Sequence, residues 1–577
     1  MRSVIVFRNK FVSASKELAT SILLASLSLL GIIQICDLLD VAYYPVRRRA
    51  VTINNFNIEL SLAIPVLVLI IYWIDWMILN KRYKTALLPL SSLLVYPFSS
   101  AEVALILAII IATISGLWHT RDLKGYVSGL FISLNVIETS ALIHWGLILP
   151  LGIKSTLTEI AQIEMGLFYI AANLAPFLAI VLLFMWIPNL IINLGWNKIG
   201  FNNETRDNKD INKTDLLFLM FSILIGVSSS IYPYTSAINP QKNQIGTDIQ
   251  PYVSSAEAII ENPSNIFSRS GGSRPVLHLV LYCFQQLTTL SAYDAVTYLP
   301  VILNPLLSLS IFMFSREIFD DKHVSRWAAL LTACGIQVAV SMYAYFLANM
   351  LALSLVFISL TFIFRSLKTG RTLDLLLSCC IGFLLVFTHP WTFDQYLAAL
   401  VILAAVMLYY SLNERRFEKI KFMTVFLACL GSSEMIKRYI FKGVSGLDVT
   451  STVTEGMIEL SELWESSQLI FRYTYGGLLS NVVLICLGII GVYYLKRKNL
   501  SELFLLFFLM PSGLIYLLAN RTIKNRLFFN IPLGLLAANG LNSLMHRFKT
   551  KHLDVALASF VSLSTLVYLF RSLANLI

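Results

Sequence analysis

The sequence predicts an all-α membrane protein, a polytopic bundle of about 14–17 transmembrane helices. The chain of 577 residues is 57% hydrophobic and only 13% charged, whereas a soluble domain carries about 25% charged residues. Its mean hydropathy is +0.73. Apolar stretches that approach the roughly 20 residues of a membrane span recur along the chain. Lipid offers no hydrogen-bond partner to an open backbone, so each span is expected to be a helix.

The predicted spans follow uncharged apolar runs. The first run lacks the small-residue cleavage site of a secretory signal, which favours a retained span. The block Val276–Leu290 is short and contains His278 and two glutamines, so we expect an interfacial or incompletely spanning helix there. The main runs are Ala19–Ile35, Ile58–Ile74, Tyr126–Pro150, Met165–Trp186, Leu216–Ile231, Trp327–Leu347, Leu373–Phe387, Ser480–Leu495, Leu503–Leu518 and Val555–Leu569.

Positive charge predicts the orientation of these spans. The net charge is +11. With the N-terminus in the cytoplasm, about two thirds of the 44 Lys and Arg residues fall inside, as the positive-inside rule expects. Arg47–Arg49 is an exception, because it falls outside. The rule accounts for the basic charge without a nucleic-acid partner. We expect an integral protein of the plasma membrane that contacts membrane lipids.

The seven cysteines lie in or beside apolar runs, and none has metal-ligand spacing. We therefore expect buried packing residues rather than a disulfide framework or a zinc site. No metal ligand is predicted from the sequence pattern.

The chain divides at a polar stretch. Residues 1–198 are predicted to form an N-terminal module of about six spans, and residues 199–214 a cytoplasmic linker. Residues 215–577 form a second module with two extracytoplasmic loops, residues 233–275 and 436–476. Apolar residues recur near the helical period in Thr454–Phe471, which fits a helix lying on the membrane or one packed on the protein.

The first outer loop contains the most distinctive acid. A loop of this length between spans is uncommon unless it is functional. Asp248 follows a Gly-Thr pair and precedes Pro251 and Tyr252, so turn residues steer the backbone on both sides. A carboxylate held in this way can accept a proton from an attacking hydroxyl. The alternative is an ordinary surface aspartate in a turn.

A second polar element joins two spans. His389 ends one predicted helix before Pro390, and Asp394 opens the next. Both side chains are candidates for substrate contact. The alternatives are a helix cap for Asp394 and interfacial packing for His389.

A basic cluster falls on the outer side, against the inside bias. It contains Arg521, Lys524 and Arg526. Arginine offers a forked set of donors that suits phosphate oxygens. The cluster is therefore a candidate phosphate site, and the alternative is an anchor to bulk anionic lipid.

In their order, these elements resemble the GT-C superfamily of membrane glycosyltransferases, which includes protein mannosyltransferases and aminoarabinose transferases. The resemblance covers about residues 215–545. It is carried by an acid after the first span of the module, a Pro-x-x-His element, a basic inner loop, an outer helix corner and a late outer arginine. These are Asp248 within Gly246–Tyr252, Pro275–His278, Phe314–Phe319, Ser341–Met350 and Arg526–Leu533.

The resemblance implies a GT-C-like fold and a site on the extracytoplasmic face. Asp248 would activate or align the acceptor hydroxyl. Arg526, with Arg521 and Lys524, would hold the phosphate of a polyprenyl-phosphate-sugar donor. The acceptor, whether protein, lipid or glycan, stays open.

The substrate pocket implied by the resemblance has six candidate residues: Tyr252, His389, Asp394, Asn349, Arg269 and Arg274. Many members carry a second acid where this chain has Asn349, which leaves a divalent-cation requirement open. Two other functions compete with this one. One is a transporter or flippase of a lipid-linked saccharide, and the other is a non-catalytic membrane scaffold subunit.

Overall fold

A computed structural model describes most of the second predicted module and part of the first. Within the described residues every secondary-structure element is a helix. The described residues are 123–153, 157–158, 161, 164–165, 168, 175–192, 211–241, 243–246, 248–319, 321–414, 417–441, 443, 481–495, 500–519, 521–548 and 551–576.

The α-helices are numbered along the described chain. The first nine are α1 Leu123–Ile143, α2 Ala175–Phe184, α3 Trp186–Ile192, α4 Lys213–Ile231, α5 Ile249–Glu261, α6 Pro275–Thr288, α7 Ala292–Tyr298, α8 Pro300–Ile318 and α9 Lys322–Ala333. The remainder are α10 Ile336–Ala344, α11 Leu347–Thr369, α12 Thr372–Val386, α13 Pro390–Glu414, α14 Glu418–Met435, α15 Val482–Tyr493, α16 Leu500–Leu518, α17 Arg521–Phe529, α18 Leu533–Phe548 and α19 Lys551–Ala574.

Seven stretches in the described residues are long and apolar enough to cross a bilayer, or up to eight if a bent pair counts as one span. The bent pair joins Ile523–Phe529 to Leu533–Arg547 at 45°. These lengths and compositions indicate an integral membrane protein. The larger predicted number of spans includes runs outside the described residues and stays a prediction.

The described residues belong to two compact units. The larger comprises Leu174–Ser543 and Tyr568–Ile577, and the smaller contains described residues before Asn173 together with Leu544–Val567. In the smaller unit, the Asn135 amide donates to the carbonyl oxygen of Ala556 at 2.9 Å. This bond ties α1 to the part of α19 that lies in the same unit.

The larger unit begins ahead of the predicted linker. The side chain of Asn189 in α3 donates to the carbonyl oxygen of Val492 at 2.6 Å. A Cβ atom at Gly513 would lie 2.8 Å from the carbonyl oxygen of Leu183, so α2 and α16 pack closely. The helices α2 and α3 are therefore packed against α15 and α16.

Ion pairs link α4, α8 and α9 at one end of the larger unit. Helices α4 and α8 run antiparallel, since the Asn304 amide donates to Ser230 near the end of α4. At the start of α4, fully buried Asp215 pairs with Arg316 at 3.1 Å and with Arg326 at 2.7 Å. A buried carboxylate with two guanidinium partners is satisfied in both charge and hydrogen bonding.

Several helix corners meet at the opposite end. The backbone N–H of Val276 in α6 donates to the carbonyl oxygen of Phe387, between α12 and α13, at 3.1 Å. The amide of Gln337 in α10 donates to the carbonyl oxygens of Phe529 and Ile531, at 3.2 and 2.6 Å. The Asn530 amide, beside the α17–α18 break, also donates to Thr392 near the start of α13 at 3.2 Å, so the α6 start, the α12–α13 corner and the break lie at one end.

The first outer loop has regular structure of its own. It contains the 13-residue helix α5, whose buried face includes Tyr252 and Ile259, and three short 3₁₀ turns. The following helix, α6, has 14 residues, fewer than the roughly 17 that a span needs. Of the second loop, the structure describes 436–441 and Gly443, so the helix predicted at 454–471 lies outside the described residues.

Candidate active site

Asp248 is placed by a tight turn before α5. Gly246 has a φ of +96°, and a Cβ atom there would lie 2.3 Å from the Tyr345 ring. Glycine alone fits both the backbone and the contact. Asp248 then occupies the N-cap position of α5, but its side chain makes no capping hydrogen bond. Its partly buried carboxylate is therefore not used to close the helix.

Arg274 and Tyr252 join the two helices of the first outer loop. The guanidinium Nη1 of Arg274 donates to the Tyr252 hydroxyl at 2.9 Å. Tyr252 belongs to α5, and Arg274 immediately precedes α6. This contact fixes the guanidinium, so Arg274 is part of the folded site.

Arg526 reaches the same site from α17. Its guanidinium carbon lies 6.0 Å from the ring centroid of Phe346, and that ring packs edge-on against Phe529 at 5.3 Å. The Arg526 guanidinium therefore lies over the Phe346 ring, within the range of a cation–π interaction. The Nε atom of Arg526 is buried and has no hydrogen-bond partner among the described residues.

The charges of these elements act on one another. Burial raises the pKa of Asp248, and the guanidinium groups of Arg526 and Arg274 oppose that rise. Asp248, early in the module, and Arg526, nearly 300 residues later, therefore lie close enough for their charges to interact. Sequence reasoning expected Asp248 and Arg526 to meet. It placed Arg274 among the substrate-pocket candidates, and in the structure the charge of Arg274 acts on both Asp248 and Arg526.

His389 lies fully buried at the α12–α13 corner. The backbone N–H of Thr392 donates to His389 Nδ1 at 3.3 Å, and the Thr392 hydroxyl lies 3.0 Å from the same nitrogen. Burial lowers the pKa of His389 well below its usual value. The positive charges of Arg274, Arg526 and Lys437 lower it further. The imidazole is neutral at physiological pH.

A buried polar network extends from this histidine. The Asn530 amide donates to the Thr392 hydroxyl at 3.2 Å and to Gln395 Oε1 at 3.0 Å. The Asn349 amide lies 3.5 Å from the Thr392 hydroxyl. Asn349 is therefore a structural neighbour of the histidine through Thr392.

Lys437 is a site residue that sequence reasoning missed. Its side chain is fully buried, and Nζ donates to the carbonyl oxygens of Val386 and Ser273, at 2.8 and 3.3 Å. Ser273 immediately precedes Arg274. The lysine therefore fastens the backbone that carries Arg274 to the end of α12.

A close backbone contact supports the same fastening. Gly272 has a φ of +67°, and a Cβ atom on Gly443 would lie 2.6 Å from the Gly272 carbonyl oxygen. The Phe441 ring stacks on Phe267 at 5.3 Å and meets Phe387 edge-on at 5.5 Å. Residues 436–441 and Gly443 thus hold the segment from Phe267 to Arg274 against the helix corner. We call residues 436–441 with Gly443 the clasp.

The other predicted residues are less central. The charges of Glu434 and Lys437 act on Asp394. Asp394 therefore lies near the clasp, which contains Lys437. Arg269 is exposed, and its charge acts on buried His278.

Lys524 is fully buried, and its Nζ lies 5.3 Å from the ring centroid of Tyr516. The cations that act on Asp248 are Arg526 and Arg274; the role of Lys524 at the donor phosphate stays a prediction. Arg521 begins α17, and its side chain lies outside the described residues. In the described part of the chain, no group of three His, Cys, Asp or Glu residues could hold a metal ion.

Comparisons with known proteins do not assign this site. A scan against protein-family models found no matching family, and a search of curated proteins found no matching relative.

Proposed function

We propose that the protein is a GT-C-like membrane glycosyltransferase that moves a sugar from a polyprenyl-phosphate-linked donor to an acceptor on the extracytoplasmic face. The observation that carries the proposal is the shared site of Asp248, Arg526 and Arg274. A carboxylate and two guanidinium groups supply a proton acceptor and an anion clamp. In glycosyl transfer from a phosphate, the first can accept the proton of the attacking hydroxyl and the second can stabilise the leaving phosphate.

The proposed reaction uses each charge in turn. An acceptor hydroxyl attacks the anomeric carbon of the donor, and its proton passes to Asp248. The bond between that carbon and the phosphate oxygen breaks, and the electron pair stays on the phosphate. Arg526 and Arg274 stabilise the negative charge that develops there. The Nε atoms of both arginines are buried, and a lower local dielectric constant strengthens these interactions.

The orientation follows from the distribution of charge between the two ends of the larger unit. The end with Asp215 carries the basic loops that the positive-inside rule assigns to the cytoplasm. The site lies at the other end, which supports an extracytoplasmic active site and a donor that enters from the outer leaflet of the plasma membrane.

The test is transfer by the full-length protein in lipid nanodiscs from a radiolabelled polyprenyl-phosphate sugar. We expect Asp248→Asn to lower the rate of transfer by about 10²- to 10⁴-fold, the usual range for loss of a positioned base. Glu257→Gln is the matched control, because Glu257 is an exposed carboxylate on the same helix. Equal rates in the Asp248 and Glu257 variants would remove the base from the mechanism.

A flippase for a lipid-linked saccharide would need the cations but no base. In full-length protein reconstituted into sealed liposomes, a flippase would move a fluorescent lipid-linked sugar across the bilayer, and Asp248→Asn would leave that movement intact. A scaffold subunit would tolerate loss of both Asp248 and Arg526 in either assay. These outcomes separate the three functions.

A further inference from the structure

Three buried N–H donors at the candidate site have no acceptor among the described residues. They are His389 Nε2, Arg274 Nε and Arg526 Nε. An unsatisfied buried donor usually costs about 1–3 kcal/mol, and most buried polar groups in proteins have a partner. Three unsatisfied donors whose side chains also interact electrostatically indicate a shared ligand rich in acceptors.

The hydrogen bonds of His389 identify the nitrogen that carries the proton. The backbone N–H of Thr392 can only donate, and it points at His389 Nδ1. Nδ1 must therefore be the acceptor, so the single proton of the neutral ring lies on Nε2. The side chain is fully buried. Nε2–H is then a fixed donor that does not depend on ionisation.

The charge of the site selects an anion. Arg274, Arg526 and Lys437 all act on His389 as positive charges, and Asp248 supplies the opposing charge on the two arginines. An uncharged acceptor would satisfy the donors but leave the excess positive charge. A phosphate group offers several acceptor oxygens and compensates that charge.

We propose that His389 is a third phosphate-binding residue, and that its neutral Nε2–H donates to an oxygen of the same phosphate that Arg274 and Arg526 hold. This inference deepens the proposed function and rests on it for the identity of the donor. It assigns His389 to the phosphate, whereas the family resemblance implied a place in the substrate pocket apart from the phosphate-binding cations. It also requires the Nε2–H tautomer.

The test compares two substitutions of His389, Gln and Asn, whose side-chain amides differ in length by one methylene group. In His389→Gln the amide nitrogen lies where Nε2 lay, whereas in His389→Asn it lies where Nδ1 lay. We measure binding of a polyprenyl phosphate to the full-length protein in detergent by native mass spectrometry. We expect His389→Gln to bind within about threefold of wild type and His389→Asn to bind about 10- to 100-fold more weakly, as expected for a lost charge-assisted donor. His546→Gln, at an exposed histidine, should match wild type.

Two further probes identify the ligand chemistry. The matching polyprenol tests whether the lipid chain alone is bound, and inorganic phosphate tests whether the head group is sufficient. A loss in His389→Asn that is the same for polyprenol and polyprenyl phosphate would overturn the assignment. Equal binding by the Asn and Gln variants would also overturn it.

The tautomer is tested without any ligand. In protein labelled with ¹⁵N-histidine, the signal lost in His389→Gln should be that of a neutral ring protonated at Nε2 and unchanged from pH 6 to pH 8. A ring protonated at Nδ1 or on both nitrogens would refute the inference. If phosphate binding depends on His389 but no sugar transfer is found under any condition, the proposed function is refuted. The phosphate-binding site at His389 is then still supported.

Discussion

Gly246→Ala tests whether the turn before α5 positions the proposed base. The new Cβ atom would lie 2.3 Å from Tyr345 Cδ2, and an ordinary carbon contact is about 3.5–4.0 Å. The turn must therefore move by about 1 Å or more. Tyr345 gives little room, because it is fully buried and its hydroxyl lies 3.3 Å from Tyr234, Val296 and Thr297 oxygens.

A displacement of this size has a predictable effect on catalysis. Misplacement of a reacting group by about 1 Å costs on the order of 10²-fold in rate. Because Asp248 is two residues away, we expect Gly246→Ala to lower the turnover rate by about 100-fold. Binding of the polyprenyl phosphate should change little, because Arg526 and His389 lie on other elements. The assay is single-turnover transfer in nanodiscs, with donor affinity measured separately.

Gly370→Ala controls for backbone strain. Gly370 also has a positive φ, +70°, but a Cβ atom there meets nothing within 4 Å. Both substitutions incur the left-handed cost of about 1–2 kcal/mol, and only Gly246→Ala adds the clash. If the two variants transfer sugar at similar rates, the turn does not set the position of the base. An equal loss of rate and donor affinity in Gly246→Ala would mean general distortion of the site.

Three other changes test separate parts of the structure. Lys437→Met removes the donor from two buried carbonyl oxygens, and each unsatisfied carbonyl costs about 1–3 kcal/mol. The substitution should therefore speed amide hydrogen exchange in residues 267–276. Burial lowers the pKa of Lys437 to about 8, so exchange measured at pH 9 compares two uncharged side chains. Asp215→Asn leaves two partly buried guanidinium groups without their carboxylate and should destabilise the fold by about 3–5 kcal/mol, seen as a lower unfolding temperature. Arg274→Gln removes a cation that lowers the pKa of Asp248, so that pKa should rise further. The base is then protonated at a higher pH, and the acidic limb of the pH–rate profile should move to higher pH. An unmoved limb would exclude Asp248 as the titrating group.

The local signals that sequence reasoning could use were turn residues and misplaced charge. Asp248 stands among Gly and Pro in a long outer loop, and Arg526 is a cation on the side where the inside rule expects few. Each signal concerns one stretch of chain. Both residues could therefore be proposed from the sequence, and their meeting could be expected only through a family resemblance.

The partnerships within the site could not be predicted in the same way. Lys437 follows an apolar stretch and looks like any lysine at a helix end, because its acceptors, Val386 and Ser273, are distant in sequence. The pairing of Arg274 with Tyr252 depends on how α5 packs on α6. One signal was available: Pro390 at the first helical position makes His389 the N-cap, which favours a bond from the N–H of Thr392 to its ring.

The two ends of the larger unit treat buried charge differently, and this contrast is the strongest physical argument for a functional site. At one end Asp215 is saturated by two guanidinium groups and by its helix cap. At the other, Arg526 keeps a buried Nε without an acceptor among the described residues, and Asp248 sits at a helix start without capping it. A fold selected only for stability would pair these groups as it does around Asp215, because unpaired buried charge is costly. Because Arg526 Nε and the Asp248 carboxylate are not used up in such contacts, they are available to a substrate. A guanidinium suits a phosphate, and a carboxylate suits the hydroxyl that attacks beside it.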